Sequence, residues 1–376
     1  MVWDLPSLPL TGIYLDSPVS SGYQYDQSLE FCESCSHAQL SNHIDPIELY
    51  RATYDHRTSL SLISVAGNDF LINFLRTNLI KSDYSQILEI GCNDLYLLES
   101  LDELGAARSG VDPIWNNEFL VREDGIRLSG EFAEVADYGK LLVAPIDLLI
   151  SSHTFEHIPN PRKVFEKLQQ HLSENCEFFI EVPSANRMIA QGRMDQVFSQ
   201  HVNYFSTKSL CELVAQYGFQ LCSFTHNFSY WGGTQLLHFA RGSKAPSDVF
   251  GGKLKQIGIR DYVEAIAAFK AGLLTSGHQI ESAPGRIVGY GAAQMLPILE
   301  YHLRPFFSAL HSILDDNLLR CGKYYPCLSL EIEEASSYEH WSSSTLVVTA
   351  LDSSRKLVRS AIGNEARSII VPMGLC

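Results

Sequence analysis

The chain has 376 residues and a formal net charge of −15, with 45% hydrophobic and 19% charged residues. This composition suits a globular protein of two domains with a small third element. It excludes nucleic acid as the main partner, because no block of consecutive basic residues is present to neutralise phosphates.

A small phosphorylated ligand is still compatible, since a few amides and one or two cations can hold one. The longest apolar runs, such as Ile146–Ile150, are strand-sized and fall short of the roughly 18 residues of a membrane helix. No basic segment followed by an apolar core opens the chain, so a cytoplasmic protein with no membrane partner is expected. The nine cysteines are scattered and odd in number, the pattern of reduced thiols rather than of a disulfide framework. Only Cys32 and Cys35 have ligand-like spacing.

Residues 1–58 read as irregular, punctuated by Pro6, Pro9, Pro18 and Pro46. From Leu60 to Leu79 the apolar positions Leu62, Val65, Ala66, Leu71, Phe74, Leu75 and Leu79 suggest a helix. A strand–helix alternation then begins. Gln86–Gly91 reads as a buried strand, Asp94–Leu104 as a helix with Leu95, Leu98, Leu101 and Leu104 on one side, and Ser109–Val111 as a strand ending at Asp112.

Ile146–Ser151 is the next strand, and a helix follows with Asn160 as N-cap, Pro161 at its first position and Val164, Phe165 and Leu168 facing inward. Glu177–Val182 is a strand closed by Pro183, and Thr207–Tyr217 a helix ended by Gly218. Phe219–Phe224 and Gln235–Ala240 form a final strand pair. A seam rich in Gly, Ser, Pro and Asp spans Arg241–Gly252, and a long helix covers roughly Leu254–Gln279. A second alternation follows. Arg286–Gly289 is a strand opening a helix through Gly289–Ala292, and Ile313–Leu314, Thr345–Thr349 and Ile369–Val371 are further strands.

Such alternation makes a parallel sheet covered on both faces. The expected architecture is α/β: a doubly wound Rossmann-like core over 59–245, a second, smaller Rossmann-like α/β domain over 246–376, and a short irregular N-terminal module over 1–58.

Doubly wound sheets bind ligands at the carboxyl ends of their strands. The first strand here runs into Glu89, Ile90, Gly91, Cys92, Asn93 and Asp94. Gly91 lets the backbone pass close to a ligand, and Asn93 or Asp94 can cap the helix. Asp112 ends the next strand, where an acidic side chain can accept both hydroxyls of a ribose. The acidic turn suits a positively charged sulfonium cofactor better than a pyrophosphate.

By itself this turn is also an ordinary strand–helix connection. The spacing of Asp112, the run Asp147–Ser152 where a fourth strand belongs, and Glu156–Pro161 after it add to it. Together they resemble the class I S-adenosylmethionine-dependent methyltransferases, whose sheet and motif order they match from about Leu60 to Arg241. The resemblance implies S-adenosylmethionine as cofactor, held by Glu89, Gly91, Asn93, Asp94, Asp112, Ser152 and His153. His153 stands where the family commonly has Asn beside the methionine part. Leu95 stands where these enzymes often have Gly, an expected tightening of the pocket.

Five segments in three regions resemble one branch of that superfamily, the sugar C-methyltransferases of deoxysugar biosynthesis. Phe31–Leu40 is similar to the second half of their N-terminal zinc module, Asp195–Ser206 to their active-site segment, and Val288–Ala293, Ile313–Asn317 and Gly322–Pro326 to their C-terminal domain. The family uses two Cys-x-x-Cys pairs for zinc. Here only Cys32 and Cys35 stand, with His37 and His43 as further candidates, so zinc is left open.

Where the family reads Tyr-His-Glu-His, this chain has Phe198, Ser199, Gln200 and His201. The resemblance makes His201 the base, and an imidazole that titrates near neutral pH suits the task. Gln200 and Tyr204 complete the candidate catalytic set, with Tyr204 reading as core or wall rather than as an acid. His201 reads otherwise as a polar residue between a loop and the next helix. His157, in the turn after the fourth strand, reads as structural. The altered motif opens methylation of oxygen as well as carbon.

Trp231, Gly232 and Gly233 resemble a substrate-side stretch of the family, or form a plain hairpin turn. Gly289, Tyr290 and Gly291 would line a helix N-terminus ready for an anion, and the resemblance implies that this domain helps hold the nucleotide of a nucleotide-linked sugar. Gln294 and Met295 replace the family's Lys there; a domain kept for packing is the alternative. The expectation is methyl transfer to a sugar, probed against two rivals: a small hydroxylated metabolite or amine as acceptor, or a non-catalytic cofactor-binding protein. Monomer and homodimer both fit.

Overall fold

The computed structural model describes residues 1–19, 22–45, 49, 57–116, 118–230, 232–242, 256–326 and 328–373. The chain opens as an antiparallel ribbon, which corrects the reading of residues 1–58 as irregular. β1 (Trp3–Pro9) pairs with β2 (Gln24–Cys32), and β2 with β3 (His37–Leu40). β3 pairs in turn with β10 (Asn203–Tyr204), from the segment that carries His201. The prolines concealed this ribbon. Pro6 lies in an edge strand at a break in register between Leu5 and Leu8, with Ser7 at φ +53°, and an edge strand tolerates Pro because one side of its backbone has no ladder partner.

The central unit is α1 (Leu62–Asn78), β4 (Gln86–Ile90), α2 (Tyr96–Glu99), β5 (Ala107–Val111), β6 (Phe119–Val121), β7 (Arg127–Ser129), α3 (Tyr138–Leu141), β8 (Ile146–Ser152), α4 (Pro161–Leu168), β9 (Leu172–Pro183), α5 (Ala185–Ala190), α6 (Thr207–Ala215), β11 (Phe219–Asn227) and β12 (Thr234–Arg241). Its eight-stranded sheet has the order β11-β12-β9-β8-β4-β5-β7-β6. The strands from β9 to β7 run parallel, and β12 enters antiparallel between β9 and β11. β5 lies on one side of β4 and β8 on the other, so the order reverses there, the position at which doubly wound sheets hold ligands.

Every residue of β4 is buried, as expected of a central parallel strand covered on both faces. Asn160 caps α4 by accepting from the Lys163 amide, with Pro161 in the first turn. The expected helix Asp94–Leu104 is broken into α2 and a 3₁₀ turn at Asp102–Leu104. Leu95 takes φ +72° ahead of α2, which delays the helix, and Gly105 at φ +64° ends the turn. The Leu95 side chain is fully buried beside Leu71, Leu75 and Leu98. It therefore packs the core rather than tightening a ligand pocket.

The remaining elements are α7 (Ile259–Glu281), β13 (Arg286–Tyr290), α8 (Leu296–Phe307), β14 (Ile313–Asp315), β15 (Tyr324–Tyr325), β16 (Leu328–Glu334), β17 (Ser344–Val348), α9 (Ser354–Gly363) and β18 (Ser368–Ile370). They form a six-stranded sheet in the order β15-β16-β14-β13-β17-β18. The long helix begins at Ile259 rather than Leu254, which lies outside the described residues, as do most of the seam and the boundary at 245–246.

α8 begins at Leu296, not within Gly289–Ala292. Its expected anion-binding start is absent for a local reason. The Gly289 amide donates to Ser312, the Gly291 amide to Leu314, and the Ala292 amide to the Asp315 carboxylate at 2.5 Å. The Ala292 amide is thus taken by the chain's own Asp315 carboxylate. One apolar cluster joins the ribbon, α7, α8 and the His201 segment through Trp3, Leu40, Val197, Tyr262 and Leu303. No helix among the described residues is long and apolar enough to cross a membrane.

Candidate active site

The first part of the site stands at the carboxyl ends of β4 and β5. Gly91 follows β4 at φ +79°, and a Cβ there would meet Thr154 Oγ1 at 1.8 Å. Only glycine fits both the backbone angle and the contact. Gly91→Ala should therefore cost at least about 1–2 kcal/mol for the left-handed backbone, plus the clash. In urea unfolding, Thr154→Ala in the same chain should recover part of the clash and none of the backbone cost, because it removes Oγ1 and Cγ2 but keeps Cβ, 2.7 Å from the new methyl.

Asp112 accepts from the Asn93 amide at 2.9 Å and the Ile114 amide at 3.0 Å. Asn93 and Asp94 do not cap α2. Asn93 Oδ1 accepts from the Thr58 amide at 3.2 Å, and Asp94 Oδ2 from the Ser59 amide and hydroxyl at 2.9 and 2.6 Å. They hold the turn before α1 across the mouth of the sheet. Glu89 is buried, and among the described residues its Oε2 has no partner. Burial first, then the negative charge of Asp112, raises its carboxyl well above the usual range. Burial likewise raises Asp112. Carboxyls crowded in this way favour a ligand that brings hydroxyl donors or positive charge.

The second part stands at the ends of β8 and β9. Glu181 is fully buried and accepts from Ser152 Oγ at 3.0 Å and Thr234 Oγ1 at 2.7 Å. His153, at φ +47°, lies between Glu156, 3.1 Å from its Nδ1, and Glu181, 3.8 Å from its Nε2. Burial opposes an imidazolium there, yet the two carboxylates prevail and raise the His153 pKa well above its ordinary value. Burial also opposes the Glu156 anion, and His153 overcomes it, bringing the carboxyl down to about 2.

His157 Nδ1 donates to the Gln200 carbonyl at 2.8 Å. The His201 ring packs on Phe198 at 4.1 Å and meets His157 edge to face at 4.9 Å between centroids. Burial, then the neighbouring His157, lowers the His201 pKa to about 3. This corrects the expectation of an imidazole titrating near neutral pH: the surroundings keep His201 uncharged.

Gln200 is buried, and its amide donates to the Thr11 carbonyl at 2.9 Å, tying the ribbon to the site. Gln294, at the place of the missing Lys, approaches Thr11 Oγ1 at 3.5 Å, so Thr11 links the two glutamines. Tyr204 accepts from the Phe198 amide at 3.1 Å, and burial raises its hydroxyl. It is a wall rather than an acid. A cavity of about 10 Å³ lies between His201, Tyr204, Gln196 and Met188.

Gly232 and Gly233 sit in the β11–β12 hairpin at φ +73° and +117°, and a Cβ on Gly232 would lie 2.6 Å from Gln196 Nε2. Trp231 lies outside the described residues. Gly289, Tyr290 and Gly291 belong to the C-terminal sheet; the Tyr290 hydroxyl bonds Asp316 and Ser360. Cys32 is exposed, and the Ser34 hydroxyl 3.0 Å away is the main cause that lowers its thiol to about 7. His37 bonds Asn203 Oδ1 at 3.1 Å instead of turning to the thiols. Among the described residues no third ligand converges on Cys32 and Cys35. Glu156 and Glu181 are the site residues that motif reading passed over. For Glu181 the signal was a carboxylate inside the apolar strand run Phe178–Val182.

Residues 67–223 match the family model of a methyltransferase domain. The chain is 25% identical over 247 residues to the C-methyltransferase NovU of Streptomyces niveus, a match covering 65% of this chain and 58% of that protein, less than two thirds of the relative. The N-methyltransferase NodS of Bradyrhizobium japonicum, in complex with S-adenosyl-L-homocysteine, is similar at a TM-score of 0.37 and 11% identity, over 52% of this chain and 97% of that one. The magnesium protoporphyrin IX methyltransferase ChlM of Synechocystis PCC 6803, with bound SAH, is similar at 0.36 and 11%, over 48% and 85%. The matched residues 67–223 run from within α1 into β11 and so span most of the doubly wound α/β sheet.

Proposed function

We propose that this chain is an enzyme that transfers a methyl group from S-adenosylmethionine to a sugar, in particular a nucleotide-linked one, at carbon or oxygen. The observation that carries the reading is the carboxyl pair at the ends of adjacent parallel strands: Glu89, with a buried Oε2 that no described residue bonds, and Asp112. Leaving such an oxygen without a donor costs about 1–3 kcal/mol or more, and a ligand with ribose hydroxyls and a positive sulfonium would recover it. In this reading Glu89 and Asp112 hold the ribose, Gly91, Asn93 and Asp94 frame it, and Ser152 and His153 border the methionine part. The bound cofactor supplies an electrophilic methyl group.

The chain's own work is to orient the acceptor and to take its proton. His201 is uncharged, so its lone pair is available, and the imidazolium formed would face the Glu156 anion. A base held near 3 suits a hydroxyl, whose proton becomes acidic as the oxygen–methyl bond forms. A carbon acid must give up its proton before attack and asks more of the same base. The likeness to a C-methyltransferase supports carbon, and the depressed imidazole supports oxygen. Turnover with nucleotide-linked ketosugars against the corresponding alcohols separates them.

The cofactor half is tested by calorimetry with S-adenosylhomocysteine. The wild type should bind, and Asp112→Asn should bind at least about tenfold more weakly, roughly 1.4 kcal/mol. Unchanged affinity in a folded Asp112→Asn chain would remove Asp112 from the cofactor site.

A further inference from the structure

One group of side chains near the acceptor region has a geometry that proton transfer does not explain. Glu156, His157 and His201 each present a ligand atom, and these atoms lie within 4.8 Å of one another. The carbonyl of Gln200 can only accept, so the 2.8 Å bond to His157 places the hydrogen on Nδ1 and the lone pair on Nε2. Metal-binding imidazoles are fixed in this way, their second nitrogen donating to a carbonyl or carboxylate. Glu156 is braced as well: Oε1 faces His153 Nδ1 at 3.1 Å, while Oε2 is buried with no partner among the described residues. The His201 ring has ring contacts to Phe198 and His157 and, among the described residues, no hydrogen bond.

We infer that Glu156, His157 and His201 form a binding site for a divalent transition-metal ion of the zinc type. Two imidazoles and one carboxylate suit Zn²⁺, Co²⁺ or Ni²⁺, whereas Mg²⁺ and Ca²⁺ take oxygen ligands. Ligand atoms around one tetrahedral ion sit about 3.3 Å apart, so the observed span closes by side-chain torsion. Three protein ligands leave a fourth position open to water or to an acceptor oxygen. Glu156 and His157 come from the turn after β8 and His201 from the segment before β10, so only the folded chain holds the set. A bound ion takes the lone pair that His201 would use as a base, so the two states exclude one another. The site is distinct from the exposed pair Cys32 and Cys35.

The test uses the full chain with Cys32→Ser and Cys35→Ser, stripped by chelator and titrated with cobalt chloride. One equivalent should bind, with visible cobalt bands of nitrogen and oxygen ligation, no sulfur charge-transfer band, and displacement by zinc. His157→Ala and His201→Asn should each weaken binding at least about tenfold, and zinc should raise the unfolding temperature of the parent but not of these variants. Circular dichroism of the apo variants shows whether they fold; if either does not, Glu156→Gln supplies the third ligand test. Absence of saturable cobalt binding by the folded parent overturns the inference, as does undiminished binding in folded His157→Ala and His201→Asn. Metal binding can fail while S-adenosylhomocysteine still binds, and the reverse, so this inference and the methyl-transfer reading fall separately.

Discussion

Replacing His201 by Asn in chelator-treated protein should lower turnover by about 10²–10⁴-fold, the usual contribution of a positioned general base. Affinity for S-adenosylhomocysteine should stay unchanged. Asn fills similar space but has no lone pair able to take a proton, and the carboxyls proposed for the cofactor stand at the ends of β4 and β5 rather than beside His201. A fall in kcat with intact cofactor binding separates a base from a packing residue; retained turnover removes His201 from the proton transfer.

The pH dependence has a defined sign. With its pKa near 3, His201 stays uncharged between pH 5 and 8 and should produce no acid limb there. An acid limb near 6.5 that vanishes in His201→Asn would show that the imidazole titrates as an ordinary one. Stability follows by linkage. The unfolded chain protonates this His near 6.5 and the folded chain near 3. Between those values the unfolded state holds the extra proton, so this contribution to stability is complete above about 6.5 and is lost as pH falls towards 3. His302, lowered to about 4 chiefly by burial, adds in the same direction. Urea unfolding midpoints should therefore decline with acid more steeply in the wild type than in His201→Asn.

Arg193→Met should destabilise the chain by about 3–5 kcal/mol, the effect of removing one partner from a buried ion pair. Arg193 is 4% exposed and forms two bonds of 2.8 Å to Asp195, which is itself 3% exposed, and a third of 2.9 Å to Asp352. Methionine keeps the bulk of the stem and leaves the Asp195 charge buried without its cation. Because the residue precedes the His201 segment, turnover should fall together with stability. Adding Asp195→Leu should recover a large part of the loss, since the buried carboxylate is then gone and Asp352, the other carboxylate on Arg193, is 35% exposed. A single-variant cost below about 1 kcal/mol would show a solvated pair of the surface kind.

Which parts of this molecule were legible in sequence follows from the range of the forces involved. The runs Ile87–Ile90, Leu148–Ile150 and Phe178–Val182 declared themselves as covered strands because a strand buried on both faces must be apolar along its length. Asn160 and Pro161 marked the start of α4 because capping is settled within one turn. Asp112 was legible as an acidic strand end because the end of β5 and the next turn are neighbours in the chain.

Other features depended on partners distant in sequence. The ribbon β1–β3 was missed because its prolines look like loop residues until the edge strand and β10 are seen. Gly289–Ala292 looked like an anion-binding helix start until Asp315 was found on the Ala292 amide. The meeting of His157 with the His201 segment spans 43 residues from His157 to Gln200. The depressed His201 pKa likewise arises from burial by side chains that no local motif contains. The sequence by itself thus determined the strand order of burial, the helix caps and the acidic strand ends, all settled by neighbouring residues. Only the tertiary structure decided which carboxylates and imidazoles converge, and in which protonation state, because desolvation and Coulomb interactions act through space rather than along the chain.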